Sequence, residues 1–216
     1  MAIICPRVKT TLISADFHVI INKKEEIPTE QSIQKSRRLL TAVRDMVLEN
    51  GIQGASMSKI SKAANVPMGT IYTMFPTKDD LINAAYIFCR ENYMGNICFP
   101  QIRSDTDWKP AIREAVFAYI DSAISHDRDF LFVEQCYLNP IIRPELISDR
   151  GTLFGEVSMD EIIHHNSEQK RPAYLIQHLA LAVIHKSINL HLTGRITLDI
   201  ETREEIARIC WSILAG

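Results

Sequence analysis

Residues 56–75 read Ser56-Met57-Ser58-Lys59-Ile60-Ser61-Lys62-Ala63-Ala64-Asn65-Val66-Pro67-Met68-Gly69-Thr70-Ile71-Tyr72-Thr73-Met74-Phe75. Ser56 is a good N-cap for a helix carrying Met57, Ile60, Ala63 and Ala64. Asn65 ends that helix after about two turns, and Asn is the commonest residue other than glycine at positive φ. Pro67 opens a third short helix with Ile71 and Met74 or Phe75 facing in, and Pro76 stops it. Ile60, Ala64, Val66 and Ile71 are spaced to hold two helices together across the turn, and small Ala63 and Ala64 let the backbones approach. Two short helices across a tight turn are a helix-turn-helix.

The flanking sequence continues the helical period. Leu39, Leu40, Ala42, Val43, Met46 and Val47 follow the i, i+3, i+4, i+7 spacing of one buried face, with Arg37, Arg38, Thr41, Arg44 and Asp45 on the other. Asn50-Gly51 ends this first helix. On the far side, Thr77 caps a fourth helix with Asp80 three residues on, the spacing of a capping box. Further on, Ile112, Ala115, Val116, Tyr119, Ile120 and Ala123 mark a long helix after Pro110. Residues 129–139 predict another, stopped by Pro140, and residues 156–166 a third. Pro172 opens a long helix to about Thr193, ended by Gly194, and Asp199 or Glu201 starts the last, to about Leu214. No run of paired strands follows residue 30. The expected class is all-α, with an N-terminal three-helix helix-turn-helix domain and a larger helical domain.

The composition of the 216 residues is that of an ordinary globular chain, 46% hydrophobic and 23% charged. No stretch approaches the roughly 18 uninterrupted apolar residues that would span a bilayer. Five scattered cysteines, Cys5, Cys89, Cys98, Cys136 and Cys210, form no CxxC pair, which argues against a disulfide framework and a zinc site. With no signal-peptide pattern at the N-terminus, a reduced, cytoplasmic setting is expected. The net charge of −2 is unevenly spread: residues 31–81 carry seven basic and four acidic side chains, residues 82–216 thirteen and eighteen. A basic head on an acidic body is the pattern of a polyanion-binding module joined to something with another task. Residues 1–30 stand apart as an arm or upstream extension, with a strand or hairpin as the other reading.

In the third helix, Thr70, Tyr72 and Thr73 present hydroxyls outward, and Gly69 removes a side chain where a DNA backbone would come close. The pattern Leu39-Leu40-x-Ala42-Val43-x-x-Met46-Val47-x-Glu49-x-Gly51, then Ser56-Met57-x-x-Ile60, then Gly69-Thr70-Ile71-Tyr72-x-x-Phe75-x-x-Lys78-x-x-Leu81, resembles the DNA-binding domain of the tetracycline-repressor (TetR) family of regulators. The resemblance covers about residues 35–83; the remainder is similar only in helix number and length. It implies a domain division of 31–83 for DNA binding and 84–216 for ligand binding and dimerisation. It further implies a homodimer on a pseudo-palindromic, double-stranded DNA operator, relieved by a small molecule. Transferred position by position, Tyr72 and Lys78 would contact phosphates, Thr70 a phosphate or base, and Gly69 would permit the approach. Ser56 would cap the second helix, whose first amides face a phosphate. The chain departs from the family pattern at Pro67 and Met68, where a serine and a polar or basic residue are usual. Met68 can make apolar contact with a thymine methyl but no bidentate hydrogen bonds, and Thr73 joins it as a candidate for base preference.

Within residues 84–216, Phe117, Phe132, Cys136, Tyr137 and His178 are candidates to line a cavity for a small apolar ligand. Residues 172–193 and 201–214 are candidates for a four-helix dimer interface. The first carries more apolar residues than one stripe needs, and the second offers Ile206, Ile209, Cys210 and Ile213 as a seam. His178 and His185 share a helix face, whereas His164 and His165 diverge by about 100° and cannot easily share an ion. No metal or cofactor is expected. No HExxH, GxSxG or phosphate-binding glycine loop is present. Asp127 and Asp129, or Asp160 and Glu161, are explained as acids near helix starts. An enzyme with an appended helix-turn-helix ranks below a DNA-binding regulator with or without a ligand. A purely structural module would leave the Gly69-to-Lys78 pattern unexplained.

Overall fold

The computed structural model describes residues 29–95, 97, 107–147 and 173–215, and every regular element among them is helical. They are α1 (Glu30–Gly54), α2 (Met57–Ala64), α3 (Met68–Met74), α4 (Lys78–Met94), α5 (Trp108–Ser125), α6 (Asp127–Cys136), α7 (Pro144–Ile147), α8 (Ala173–Leu192) and α9 (Ile200–Ala215). The N-terminal arm, the helix expected over 156–166, His164, His165, Asp160, Glu161 and Pro172 lie outside the described residues. No described helix is long and apolar enough to cross a membrane. The described chain divides into two compact units, one of residues 29–95 and 128–147, the other of residues 107–127 and 173–215.

In the first unit, α1 starts at its Thr29 cap, whose hydroxyl accepts from the Ser32 amide at 3.3 Å. It is broken before its last turn by Gly51, whose φ of 70° is open to glycine at no steric cost. α1 packs on α2 and α4. Leu39, Leu40, Val43 and Val47 of α1, Ile60 of α2, Ile71 and Phe75 around α3, and Leu81 and Ile82 of α4 form a closed core. One reading is corrected in detail: Ala64 is buried, but Ala63 faces solvent. Of the two alternatives for the inward position after Ile71, Phe75 fills it. Helix α6 also ends at Cys136, short of Pro140, and α5 begins at Trp108, ahead of Pro110.

Arg44 is a further correction. The helical period places it on the polar face of α1, yet it is largely covered, because residues 128–147 belong to the same unit and bring Asp129 to it. Arg44 Nη1 donates to Asp129 Oδ1 at 2.8 Å, with side-chain exposures of 16% and 7%. Asn92 of α4 donates to the other carboxylate oxygen at 3.1 Å. Asp129 lies in the first turn of α6, as expected, and is in addition a shared acceptor for α1 and α4. Next to it, Asp45 accepts from Arg44 at 2.8 Å and Arg128 at 3.0 Å. Burial works against the charge on Arg44, but its hydrogen bonds to Asp45 and Asp129 outweigh it and raise the pKa. Burial also pushes Asp45 upward, and the bonds from Arg44 and Arg128 override that and hold it below the usual carboxylate range. The Cys89 thiol is driven well up, first by burial and then by Asp129. Asn83 closes the other end of the unit: its amide donates to the Ile141 carbonyl at 2.8 Å and its oxygen accepts from the Arg143 amide at 2.9 Å.

In the second unit, α9 packs on α5 and α8, and α8 also meets α5. Ile112, Val116 and Ile120 of α5, Ile184 and Ile188 of α8, and Ile206, Cys210 and Leu214 of α9 are buried together within one chain. Ile206 and Cys210 therefore do not form an outward seam. Only Ile209 and Ile213 of the four expected residues keep partial exposure. Tyr119 Oη and His185 Nε2 lie 2.6 Å apart, tying α5 to α8. Arg113 holds both carboxylate oxygens of Glu204, tying α5 to α9.

Removing one partner of a buried ion pair costs about 3–5 kcal/mol, because the other charge is left uncompensated. Asp129→Ala is expected to lower stability by that amount in urea unfolding. The double variant Arg44→Met/Asp129→Leu should recover much of it. A loss below about 1 kcal/mol for Asp129→Ala would place the pair in the class of exposed bridges instead.

Candidate nucleic-acid interface

The geometry of the head follows from how each short helix is ended. Ser56 caps α2 by accepting from the Lys59 amide at 3.3 Å. At its other end Asn65 adopts φ 52°, ψ 47°. Its amide bonds to Lys62 O at 3.2 Å, and the Val66 amide bonds to Ser61 O at 3.1 Å. This pair of bonds is a Schellman motif, which satisfies the last carbonyls of α2 and turns the chain sharply. Ser61 Oγ adds a bond to Val66 O at 2.7 Å, so Val66 is held through both its backbone groups. Buried Val66 then fixes where α3 begins.

With Ile71 and Phe75 inward, α3 turns Gly69, Tyr72 and Thr73 to solvent and leaves Met68 and Thr70 half-buried. Tyr72 is 47% exposed. A Cβ at Gly69 would meet nothing within 4 Å, so no neighbour in the fold demands a glycine there. Thr73 Oγ1 donates to Gly69 O at 2.9 Å. Exposed cations flank this surface in sequence: Lys59 and Lys62 on α2, and Arg37 and Arg38 on α1. Lys59 and Lys62 were not among the expected contact residues, although their charge alone marks them.

Lys78 has a partner inside the fold. It opens α4, and its ammonium donates to the Ile52 carbonyl at 2.7 Å. That carbonyl lies just past the break at Gly51, among groups a helix end leaves without intrahelical partners. The lysine therefore ties the start of α4 to the end of α1, a role the resemblance did not carry. Beside it, Thr77 and Asp80 complete the expected capping box, with Thr77 Oγ1 accepting from the Asp80 amide at 3.0 Å.

The residues proposed for a ligand cavity are divided. Phe132 and Cys136 are fully buried in the first unit, with Tyr137 half-buried there. Phe117 and His178 are half-buried in the second, Phe117 beneath the Arg113 guanidinium at 4.3 Å. Burial raises the Cys136 thiol to about 12, as expected of a packed core cysteine. An open groove of about 940 Å³ in the second unit is lined instead by α5 residues such as Arg113 and α9 residues such as Arg208 and Trp211. None of the five candidates lines it. Among the described residues, no group of three or more His, Cys, Asp or Glu is placed to hold a metal ion.

A capped helix, a sharp turn and a second helix whose outer face is polar define a helix-turn-helix head. Residues 39–85 match the family described as bacterial regulatory proteins, tetR family. The HTH-type transcriptional regulator AcrR of Shigella flexneri is 26% identical over 107 residues, 49% of this chain and 50% of that protein. The chain thus matches about half the length of that curated relative. Among solved structures, a TetR family transcription regulator from Marinobacter aquaeolei VT8 is similar with a TM-score of 0.72 at 17% identity, over 85% of this chain and 97% of that one. The multidrug binding protein EbrR, complexed with imidazole, is similar with a TM-score of 0.58 at 17% identity, over 89% and 96%. These likenesses extend the family's fold from the head to the helices that follow.

A hydrogen bond to a charged group contributes about 1.5–3 kcal/mol. Lys78→Met is expected to lower stability by that amount in urea unfolding without DNA. A lysine serving only a phosphate would leave the unfolding midpoint unchanged.

Proposed function

We propose that this chain is a DNA-binding transcriptional regulator. It acts as a homodimer that places two α3 helices in successive major grooves of a pseudo-palindromic operator, and as a repressor released by a small apolar ligand. The observation that carries the DNA-binding reading is the outer face of α3. A large aromatic hydroxyl, Tyr72, stands half out of the surface beside an open Gly69, while Ile71 and Phe75 take up the helix's inward positions. A phenol so placed reaches a phosphate oxygen, and a missing Cβ lets the backbone approach the duplex. Ser56, Thr70 and Lys78 are proposed as further contacts of the phosphate backbone, Lys78 through the two ammonium protons left beyond its bond to Ile52.

The dimer reading is supported by α8, where Leu175 and Leu179 are 50% and 47% exposed one turn apart. Leucines at i and i+4 make the start of an apolar stripe suited to a second copy. Ligand release is supported by the shared fold of a multidrug binding protein and by the groove between α5 and α9.

Tyr72→Phe removes one hydrogen bond and should weaken binding about equally on every operator variant, because a phosphate carries no sequence information. Gly69→Val should abolish binding and keep the melting temperature within a few degrees, since its side chain enters open space. Affinities on a matched operator set decide the first, and a shifted base preference for Tyr72→Phe would reverse the assignment. Sedimentation should give a dimer at micromolar concentration and a monomer for Leu179→Glu. A monomeric wild type would remove the basis for palindrome binding.

A further inference from the structure

What α3 can read is narrowed by what it lacks. From Val66 to Thr77 the chain contains no Lys, Arg, His, Asp, Glu, Asn or Gln. The bidentate pairings that select guanine through Arg or Lys, and adenine through Asn or Gln, are therefore closed to this helix. The hydroxyl proton of Thr73 is engaged by Gly69 O at 2.9 Å, so toward a base this side chain offers lone pairs and a methyl group. Gly69 leaves the entrance of the helix flat. At that entrance stand two adjacent apolar residues, Pro67 exposed and Met68 half-buried. Methionine is flexible and polarizable and adapts to irregular apolar surfaces. The base edges of the major groove display one apolar group, the C5-methyl of thymine.

We propose that this chain reads its operator through thymine C5-methyl groups, with Met68 as the residue that determines specificity and Thr73 accepting from an adjacent base amine. The inference rests on the DNA-binding reading above. It divides the labour between charge and shape. The exposed cations Arg37, Arg38, Lys59 and Lys62 serve the phosphates and supply affinity that salt screens. The neutral helix supplies discrimination that salt leaves largely alone.

The test begins with DNA selected by the full-length protein from a random pool. Each thymine of a selected half-site is then replaced in turn by deoxyuridine, which keeps every hydrogen-bonding group and removes only the methyl. Burial of one methyl corresponds to about a fourfold change in affinity. Wild type should lose that factor at one or two positions per half-site. Met68→Ala should bind more weakly and show no deoxyuridine penalty at the position Met68 contacts, the mark of a direct coupling in a double-mutant cycle. Met68→Gln, which can pair with adenine, should move the preference at that position from thymine to adenine. Deoxyuridine tolerated at every position by wild type would overturn the proposal. So would an equal penalty in wild type and Met68→Ala. If the protein enriches no sequence and shows no salt-dependent binding, the DNA-binding reading itself fails, an outcome distinct from operator binding that is indifferent to the methyl.

Discussion

The turn at Asn65 is the constraint on which the head depends. An eight-residue helix is too short to be stable in isolation. It persists here because both ends are closed, by the Ser56 hydroxyl and by the Schellman bonds at Asn65 and Val66. The left-handed residue costs little because Asn tolerates αL, and Val66 follows it directly into the core. From that point the direction of α3 is set, and Ile71 and Phe75 fall inward. Tyr72 and Thr73 are exposed as a consequence of that register and need no further explanation.

A second constraint makes the head more than three helices. Asp129 is a buried carboxylate that α1 reaches through Arg44 and α4 through Asn92. A carboxylate in that position is costly without partners, so the arrangement exists only when all three elements are in place. Asn83 repeats the principle at the other end with neutral groups. The segment after α5 is therefore joined to α1 and α4 by directional bonds as well as apolar packing. Such bonds resist sliding in a way that apolar contact does not.

Local chemistry was the legible part of the sequence. Ser56, Asn65, Pro76 and the Thr77–Asp80 box are signals whose physics is complete within four residues, and the structure places each at the predicted helix end. The apolar period of α1 was legible for the same reason. Arg44 was misread because a period reports which face is polar, and a polar face can be covered by a partner 85 positions away. Lys78 was read only as a surface contact, because its bond to Ile52 depends on a helix break that frees a carbonyl 26 positions upstream. In α9, Ile206 and Cys210 read equally well as an inner or an outer seam. Which of the two holds is decided by α5 and α8 packing against them, and no spacing within α9 encodes that.

The same limit bears on the outer face of α3. The capping and core positions around α3 would be satisfied by many sequences, since Ile71, Phe75 and the Asn65 turn alone set the helix in place. The outward residues are under no folding constraint: Gly69 has open space around it, and Tyr72 lies half in solvent. A position free of structural demand is free to be chosen for what it touches. At Pro67, which is exposed, and Met68, which is half-buried, the chain has taken apolar side chains. Single exposed apolar residues are ordinary on protein surfaces. Two adjacent apolar side chains at the start of α3, on a stretch from Val66 to Thr77 without a charged or amide side chain, make a surface that offers a base no bidentate hydrogen bonds. On the proposed DNA-binding reading, shape, methyl groups and a base amine within reach of Thr73 are the features of a duplex left for such a surface to distinguish.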